Sequence, residues 1–146
     1  MRVDHIPTMA TVMTPFPHYV ELDDPLRRAR ELMVEHAVRH LPVLRGHELV
    51  GILTDRDVKR SLDPDLGLPP KDELFVRDVY VAGPYVVDAH APLDIVLAHM
   101  AAHHVGSALV TKRGRLAGIF TATDACRVFC EHLRKIVPPK SGGDVA

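Results

Sequence analysis

Residues 48–60 read ELVGILTDRDVKR, and residues 115–127 read RLAGIFTATDACR. Both segments contain Gly-Ile-hydrophobic-Thr-x-x-Asp, in which an apolar run ends at a threonine and an aspartate follows three residues later. The apolar run predicts a strand that leads directly into a helix. Because this pattern occurs twice, we expect the chain to contain the same structural unit twice.

An offset of 67 residues aligns the two halves without a gap. Fourteen residues of the first half recur at that offset: Pro17, Val20, Pro25, Leu26, Met33, His36, Val38, Val43, Leu49, Gly51, Ile52, Thr54, Asp57 and Arg60. Units of about 50 residues are too small to hold a good core alone, so we expect the two to pack around a pseudo-twofold axis. Repeat one spans about residues 8–62 and repeat two 74–135. Proline and glycine in 63–73 predict a linker, and 136–146 a flexible tail.

Each repeat has the pattern of an α+β unit with the order strand, helix, strand, strand, helix. The first strands lie near 19–20 and 86–87, and the later strands at 41–44, 49–53, 108–111 and 116–120. The first helices begin at Asp24-Pro25, with Asp24 as N-cap and Pro25 in the first helical position, and at Pro92. Their apolar faces consist of Leu26, Ala29, Met33 and Ala37 in repeat one and Leu93, Val96, Leu97 and Met100 in repeat two.

The composition excludes several classes of protein. The 146 residues are 47% hydrophobic and 25% charged, the balance of a soluble globular protein. A net charge of −1, the lack of tryptophan and a total of only seven tyrosines and phenylalanines argue against nucleic-acid binding. The sequence has no membrane-length apolar run and no signal peptide, so we expect a cytoplasmic protein that does not bind membranes.

The strand-to-helix junctions are the candidate binding sites. The first amides of a helix and its positive dipole end can receive an anion. Thr54 and Thr121 add a hydroxyl there, whereas Asp57 and Asp124 suit donors such as ribose hydroxyls. The pattern therefore predicts a phosphorylated sugar, such as a nucleotide. The alternative interpretation is a capping box that only stabilises the helix, and both interpretations can hold together.

These junctions, with Val12-Met13-Thr14-Pro15 and the stretch 38–43 (VRHLPV), resemble a pair of CBS domains, the Bateman module, over about residues 8–135. Repeat two departs from the pattern, with SALV at 107–110 instead of His-Leu-Pro-Val and VYV at 79–81 instead of Met-Thr-Pro. The resemblance implies two β-α-β-β-α repeats that pack through their sheets. It also implies two clefts for adenine-containing ligands: AMP, ADP or ATP, with S-adenosylmethionine and NAD as further members of the class.

The resemblance also implies a role for each site residue. The aspartate holds the ribose, the threonine contacts phosphate, and the extended segments touch the base. Site one then comprises Pro17, His18, Tyr19, Val20, Arg39, His40, Pro42, Thr54, Arg56 and Asp57. Site two comprises Pro84, Tyr85, Val86, Ser107, Ala108, Thr121, Thr123 and Asp124. Arg56 is replaced by Thr123 in repeat two, so we expect site one to favour the more highly charged ligands.

Three further groups carry weaker signals. His99, His103 and His104 include an i,i+4 pair that can bind metal, although surface histidines are the favoured interpretation. Cys126 and Cys130 form a CxxxC pattern, for which buried small residues are favoured over metal or redox chemistry. Arg56, Lys59 and Arg60 lie beside the predicted phosphate site, and a solvated helix face explains them equally well.

The sequence contains no catalytic constellation, so we expect no enzyme activity and no catalytic cofactor. The leading hypothesis is a stand-alone regulatory module whose output acts in trans on an unidentified effector protein. We expect a homodimer, because Val34, Ala101, Phe129 and Leu133 extend the apolar helix faces beyond one stripe. The alternatives are a structural or interaction module with vestigial sites, and a metal- or redox-responsive protein.

Overall fold

The computed structural model describes residues 5–62 and 74–137, so the predicted linker and the tail from 138 onward lie outside the described residues. The helices are α1 (Met9–Val12), α2 (Leu26–His36), α3 (Asp55–Ser61), α4 (Leu93–His103) and α5 (Ala122–Ile136). The strands are β1 (Thr14–Pro15), β2 (Val20–Glu21), β3 (His40–Arg45), β4 (Glu48–Thr54), β5 (Val81–Ala82), β6 (Val86–Asp88), β7 (Ser107–Lys112) and β8 (Arg115–Thr121). Among these described helices, none is long and apolar enough to cross a membrane.

The predicted α+β repeat is confirmed in both halves, as β2-α2-β3-β4-α3 and as β6-α4-β7-β8-α5. The structure adds α1, β1, β5 and a single 3₁₀ turn at Val76–Asp78, which the sequence patterns did not predict. All of these lie in the segment that precedes the first predicted strand of a repeat. They are too short to show a periodicity in the sequence.

The two short strands are exchanged between the halves. β1 pairs antiparallel with β8, and β5 pairs antiparallel with β4. The two sheets therefore have the strand orders β1-β8-β7-β6 and β2-β3-β4-β5. Each sheet is completed at one edge by a strand from the segment that precedes the other repeat.

The hydrophobic cores follow the same exchange. Leu74 and Val76 are buried in the core of repeat one, and Met9 is buried in the core of repeat two. The first cluster consists of Val20, Leu26, Ala29, Leu32, Met33, Leu41, Val43, Leu53, Val58, Leu74 and Val76. The second consists of Met9, Ala89, Leu93, Val96, Met100, Ala108, Val110 and Phe120. Each core thus depends on residues from both halves of the sequence.

The exchanged segments also change how the first helices begin. Pro25 and Pro92 are the N-caps, with extended backbone, and each helix begins one residue later. The predicted roles of Asp24 as N-cap and Pro25 as first helical residue are therefore wrong. The Leu26 amide donates instead to the Leu74 carbonyl at 2.9 Å, and the Asp24 carboxylate accepts from the Glu21 amide.

The other end of α2 also differs from the sequence-based prediction. Ala37 is the C-cap in left-handed conformation with φ 52°, and it is exposed rather than part of the buried face. A left-handed C-cap ends the helical periodicity, so the residue no longer projects along the apolar stripe. His104 is the corresponding C-cap of α4, with φ 54°.

Gly51 and Gly118 of the repeated motif are required by the strand exchange. A Cβ added to Gly51 would clash with the Tyr80 ring and lie 2.5 Å from the Val81 carbonyl oxygen. At Gly118, a Cβ would meet the side chain of Met13 and lie 3.0 Å from the Thr14 carbonyl oxygen. The motif glycine is therefore the point at which the exchanged segment packs closely against the strand with which it pairs.

We expect Gly51→Ala to destabilise the protein by about 2–3 kcal/mol and Gly118→Ala by about 1 kcal/mol. The difference arises because a backbone carbonyl and a ring obstruct the new methyl group at Gly51, whereas the flexible Met13 side chain can move aside at Gly118. Urea denaturation followed by circular dichroism measures both changes. An equal or larger loss of unfolding free energy for Gly118→Ala would contradict this explanation of the two glycines.

Candidate functional site

The repeated motif forms a complete capping box at the start of α3. Thr54 Oγ1 donates to Asp57 Oδ2 at 2.8 Å, and the Thr54 amide donates to the same oxygen at 3.3 Å. The Asp57 amide in turn donates to Thr54 Oγ1 at 3.2 Å. Among the described residues, Asp57 Oδ1 accepts no hydrogen bond. The carboxylate therefore stabilises the helix with one oxygen and presents the other.

The helix amides at the start of α3 are largely occupied by the protein itself. The Asp55 amide donates to the Arg39 carbonyl at 2.8 Å, and the Asp57 amide is occupied by Thr54. The protein itself thus satisfies two of the first three helical amides, and α3 has only seven residues to contribute to a dipole. Any phosphate held here must be compensated by side chains.

Such side chains surround a cavity of about 1000 Å³ at this junction. Five of the predicted site-one residues line the cavity: Arg39, His40, Thr54, Arg56 and Asp57. It is also lined by Asp55, Lys59, Arg60, His104 and Gly106. Gly106 belongs to repeat two, and its backbone approaches the His40 side chain here.

The other five predicted residues of site one do not line this cavity. Val20 and Pro42 are buried inside the repeat-one unit, since β2 and β3 pair in the sheet that covers the core. Only backbone groups of these two residues remain to contact a ligand. The His18 ring stacks on His36 with centroids 3.6 Å apart, Tyr19 is exposed, and Pro17 is half-buried.

The cavity carries an excess of positive charge. Its cations are Arg39, Arg56, Lys59 and Arg60, and its carboxylates are Asp55 and Asp57. Lys59 Nζ lies 2.9 Å from Asp55 Oδ2, so one of the cations is already paired. Burial and the Arg39 guanidinium lower the pKa of His40, and the Asp57 carboxylate opposes this only in part. His40 is therefore harder to protonate than a free histidine, and the positive charge around it suits an anion.

Repeat two builds the same capping box with a different neighbour. The Thr121 amide and hydroxyl donate to Asp124 Oδ2 at 2.9 and 3.1 Å. Arg127, a residue that our sequence analysis did not assign to the site, lies 3.6 Å from Asp124 Oδ1. Its identity with Arg60 at the 67-residue offset was the available signal. Arg127 therefore pairs with Asp124 Oδ1, whereas the corresponding oxygen in repeat one, Asp57 Oδ1, accepts no hydrogen bond from a described residue.

The remaining predicted residues of site two have mixed environments. Ser107 and Ala108 are buried in β7, which leaves mainly their backbone groups for the predicted contact with a ligand. Thr123 and Val86 are exposed, and Pro84 is half-buried. The Tyr85 ring stacks on His99 with centroids 3.9 Å apart.

The structure shows the environment of the histidines and cysteines that the sequence offered as metal or redox candidates. His99 stacks on His103 at 4.1 Å, and His103 and His104 are exposed, as the favoured interpretation predicted. Cys126 and Cys130 are exposed free thiols, so the prediction that they are buried is wrong. Within 5–62 and 74–137, no group of three or more His, Cys, Asp or Glu side chains is placed to hold a metal ion.

Comparison with known proteins gives a family match in both halves. The sequence matches the CBS domain over residues 9–64 and 76–131. It is 34% identical over 113 residues to Hypoxic response protein 1 of Mycobacterium tuberculosis, a match that covers 73% of this chain and 74% of that protein. It is 32% identical over 106 residues to the inosine-5'-monophosphate dehydrogenase of Korarchaeum cryptofilum, covering 72% of this chain but only 21% of the dehydrogenase.

Solved structures resemble the chain over most of its length. The crystal structure of CBSX2 in complex with AMP has a TM-score of 0.74 and 26% identity, and covers 87% of this chain and 98% of that chain. The crystal structure of Hypoxic Response Protein I with two coordinated zinc ions has a TM-score of 0.70 and 31% identity. That match covers 83% of this chain and 98% of the other.

We expect His40 to make the folded protein less stable as the pH falls below about 6.5, the usual histidine pKa. Because the folded pKa is lowered, the unfolded chain binds a proton first, and stability declines until the folded pKa is reached. Urea denaturation at pH 7.5 and 5.5 measures the loss. His40→Gln should reduce the difference between the two pH values, whereas His47→Gln, an exposed turn variant, should not. Equal pH dependence in His40→Gln and the unmodified protein would contradict this assignment.

Proposed function

The chain belongs to the CBS domain family, and on that premise we propose that it is a regulatory module that binds adenine nucleotides and signals their presence to another protein. The observation that carries the proposal is the site-one cavity, which Asp57 lines together with Arg39, Arg56, Lys59 and Arg60. A carboxylate oxygen is an acceptor for ribose hydroxyls, and guanidinium groups bind phosphate. The two together match a nucleoside phosphate.

The chemistry of the cavity also narrows the ligand class. The excess of cations over carboxylates among the lining residues favours the phosphates of AMP, ADP or ATP and disfavours S-adenosylmethionine, whose sulfonium group is positive. The relative CBSX2 was crystallised in complex with AMP, which supports an adenosine-containing ligand. We infer that all ligands of this site contain adenosine. The number of phosphates then determines which of AMP, ADP and ATP binds most tightly.

We further infer that the two sites are unequal. Site one has Arg39, Arg56 and Arg60, which form no ion pair with another described residue, whereas repeat two has Gly106, Thr123 and the Asp124-paired Arg127 at the equivalent positions. A ribose at site two would compete with Arg127 for Asp124. Site two is therefore expected to bind more weakly and to gain less from each added phosphate.

We do not propose a zinc site like that of Hypoxic Response Protein I, whose structure contains two coordinated zinc ions. The described residues bring together no candidate group of metal ligands, and the two cysteines are exposed on α5. The residues around the site-one cavity therefore support nucleotide binding rather than the metal-responsive alternative.

We expect Asp57→Asn to weaken ATP binding by about tenfold, which is the loss expected for charge-assisted hydrogen bonds to a ribose. Asparagine keeps one oxygen for the Thr54 cap, so the melting temperature should change little. Asp57→Ala should lose both the affinity and about 1 kcal/mol of stability from the cap. Isothermal titration calorimetry and thermal unfolding measure the two effects.

The matched control is Asp78→Asn, since the Asp78 carboxylate caps the 3₁₀ turn by accepting from the Phe75 amide but does not line the cavity. Titrations of Asp124→Asn and Asp57→Asn with ATP and AMP isolate site one and site two. We expect the larger ATP preference in Asp124→Asn. Unchanged ATP affinity in Asp57→Asn and in the double variant would refute nucleotide binding through this motif.

We also propose that the module is a homodimer that contacts a second copy through α5. All fifteen residues of α5 are described, and none of them is buried. Phe129, Leu133 and Ile136 lie along this helix with about half or more of their surface exposed. A second copy is the partner we propose for this apolar helix. A twofold contact buries the apolar face of α5 in both copies at once.

Light scattering should give twice the chain mass of 16.2 kDa with and without ATP. Phe129→Glu should shift the mass toward that of a monomer, because it places a charge in the apolar contact. Glu131→Gln, on the same helix, serves as the control and should remain dimeric. A monodisperse monomer of the unmodified protein at micromolar concentration would refute the dimer.

A further inference from the structure

Site one is built by both repeats. Two of its ten lining residues, His104 and Gly106, belong to repeat two. A Cβ added to Gly106 would lie 3.6 Å from His40 Nε2, which is ordinary van der Waals distance. The boundary between the repeats therefore passes through the cavity.

The backbone that carries His104 is held at both ends. Its amide donates to the Met100 carbonyl at the C-cap of α4, and the Val105 amide donates to the same carbonyl at 3.0 Å. Two residues later, the Gly106 carbonyl accepts from the Ala122 amide at 3.0 Å. This segment is thus fixed between α4 and the start of α5, and it presents the imidazole from a defined position.

Packing does not account for the His104 imidazole. His99 stacks between Tyr85 and His103, whereas within the described residues His104 has neither a ring stack nor a hydrogen bond from its side chain. The equivalent residue of repeat one, Ala37, has the same left-handed conformation with only a methyl group. The backbone therefore does not need a histidine at this place.

The charges around the cavity indicate what the imidazole is suited to meet. The groups that line it with His104 are Arg39, Arg56, Lys59, Arg60, Asp55, Asp57 and His40. Among these, the four cations outnumber the two carboxylates, so the cavity suits an anion. A phosphate chain bound there is an anionic acceptor, to which an imidazole donates a charge-assisted hydrogen bond when both of its ring nitrogens carry a proton.

We propose that His104 contacts the phosphate chain of a nucleotide bound at site one, so that repeat two supplies a specificity-determining residue to the repeat-one site. The proposal rests on the proposed function, because it takes the ligand to be a nucleoside phosphate. It explains why an imidazole stands at the C-cap of α4 and a methyl group at the C-cap of α2. It also makes the affinity of site one depend on the contact between the two repeats.

The test compares the full chain with His104→Ala, which introduces the residue that repeat one has at the equivalent left-handed position. Calorimetric titrations use ATP and adenosine at pH 6.0 and 8.0, in the Asp124→Asn background to isolate site one. At pH 6.0 we expect the variant to bind ATP about five- to tenfold more weakly, the loss of one charge-assisted hydrogen bond. At pH 8.0 the loss should be about twofold or less, and adenosine affinity should not change at either pH.

The control is His103→Ala, on the same helix end but with its ring stacked on His99, and it should bind ATP like the unmodified protein. ATP affinity unchanged by His104→Ala at pH 6.0, or an equal loss for ATP and adenosine, would overturn the proposal and leave nucleotide binding intact. If the unmodified protein binds neither ATP nor adenosine, the proposed function fails and this inference fails with it.

Discussion

Two equivalent backbone hydrogen bonds hold the halves of the chain together. The Leu26 amide donates to the Leu74 carbonyl, and the Leu93 amide donates to the Pro7 carbonyl, both at 2.9 Å. Proline at the N-cap has no side-chain acceptor, so each helix takes its first acceptor from the segment that precedes the other repeat. The same segments continue into the exchanged strands and add buried residues to the opposite core. Neither repeat of the sequence is therefore complete as a structural unit.

The exchange of segments accounts for the glycine of the repeated motif, and the helix that follows accounts for its threonine and aspartate. Its glycine makes room for the exchanged segment, and its threonine and aspartate cap the following helix. In repeat one the cap uses one oxygen of the aspartate, and the same residue lines a cavity together with four cations. Capping and ligand binding are thus compatible uses of one carboxylate, and neither interpretation of the motif excludes the other.

The two repeats share a backbone and differ in charge. In repeat one the carboxylate faces the cavity beside Arg56 and Arg60, whereas in repeat two Arg127 occupies the corresponding oxygen of Asp124. Duplication of a unit followed by substitution of a few polar residues is sufficient to make two sites of different charge. Under the proposed function, two unequal sites would let the module respond to the ratio of two nucleotides.

The sequence by itself determined the repeat, the order of its main elements and the Thr-x-x-Asp junctions, since periodicity and capping are encoded by residues close together in the chain. It also identified five of the ten residues that line site one. Tertiary structure decided the rest. The exchange of β1 and β5, the burial of Val20 and Pro42, the exposure of Cys126 and the arrival of His104 at site one all depend on contacts between segments far apart in sequence. Two-residue strands show no periodicity, and whether a side chain is covered depends on a neighbour that no local pattern specifies.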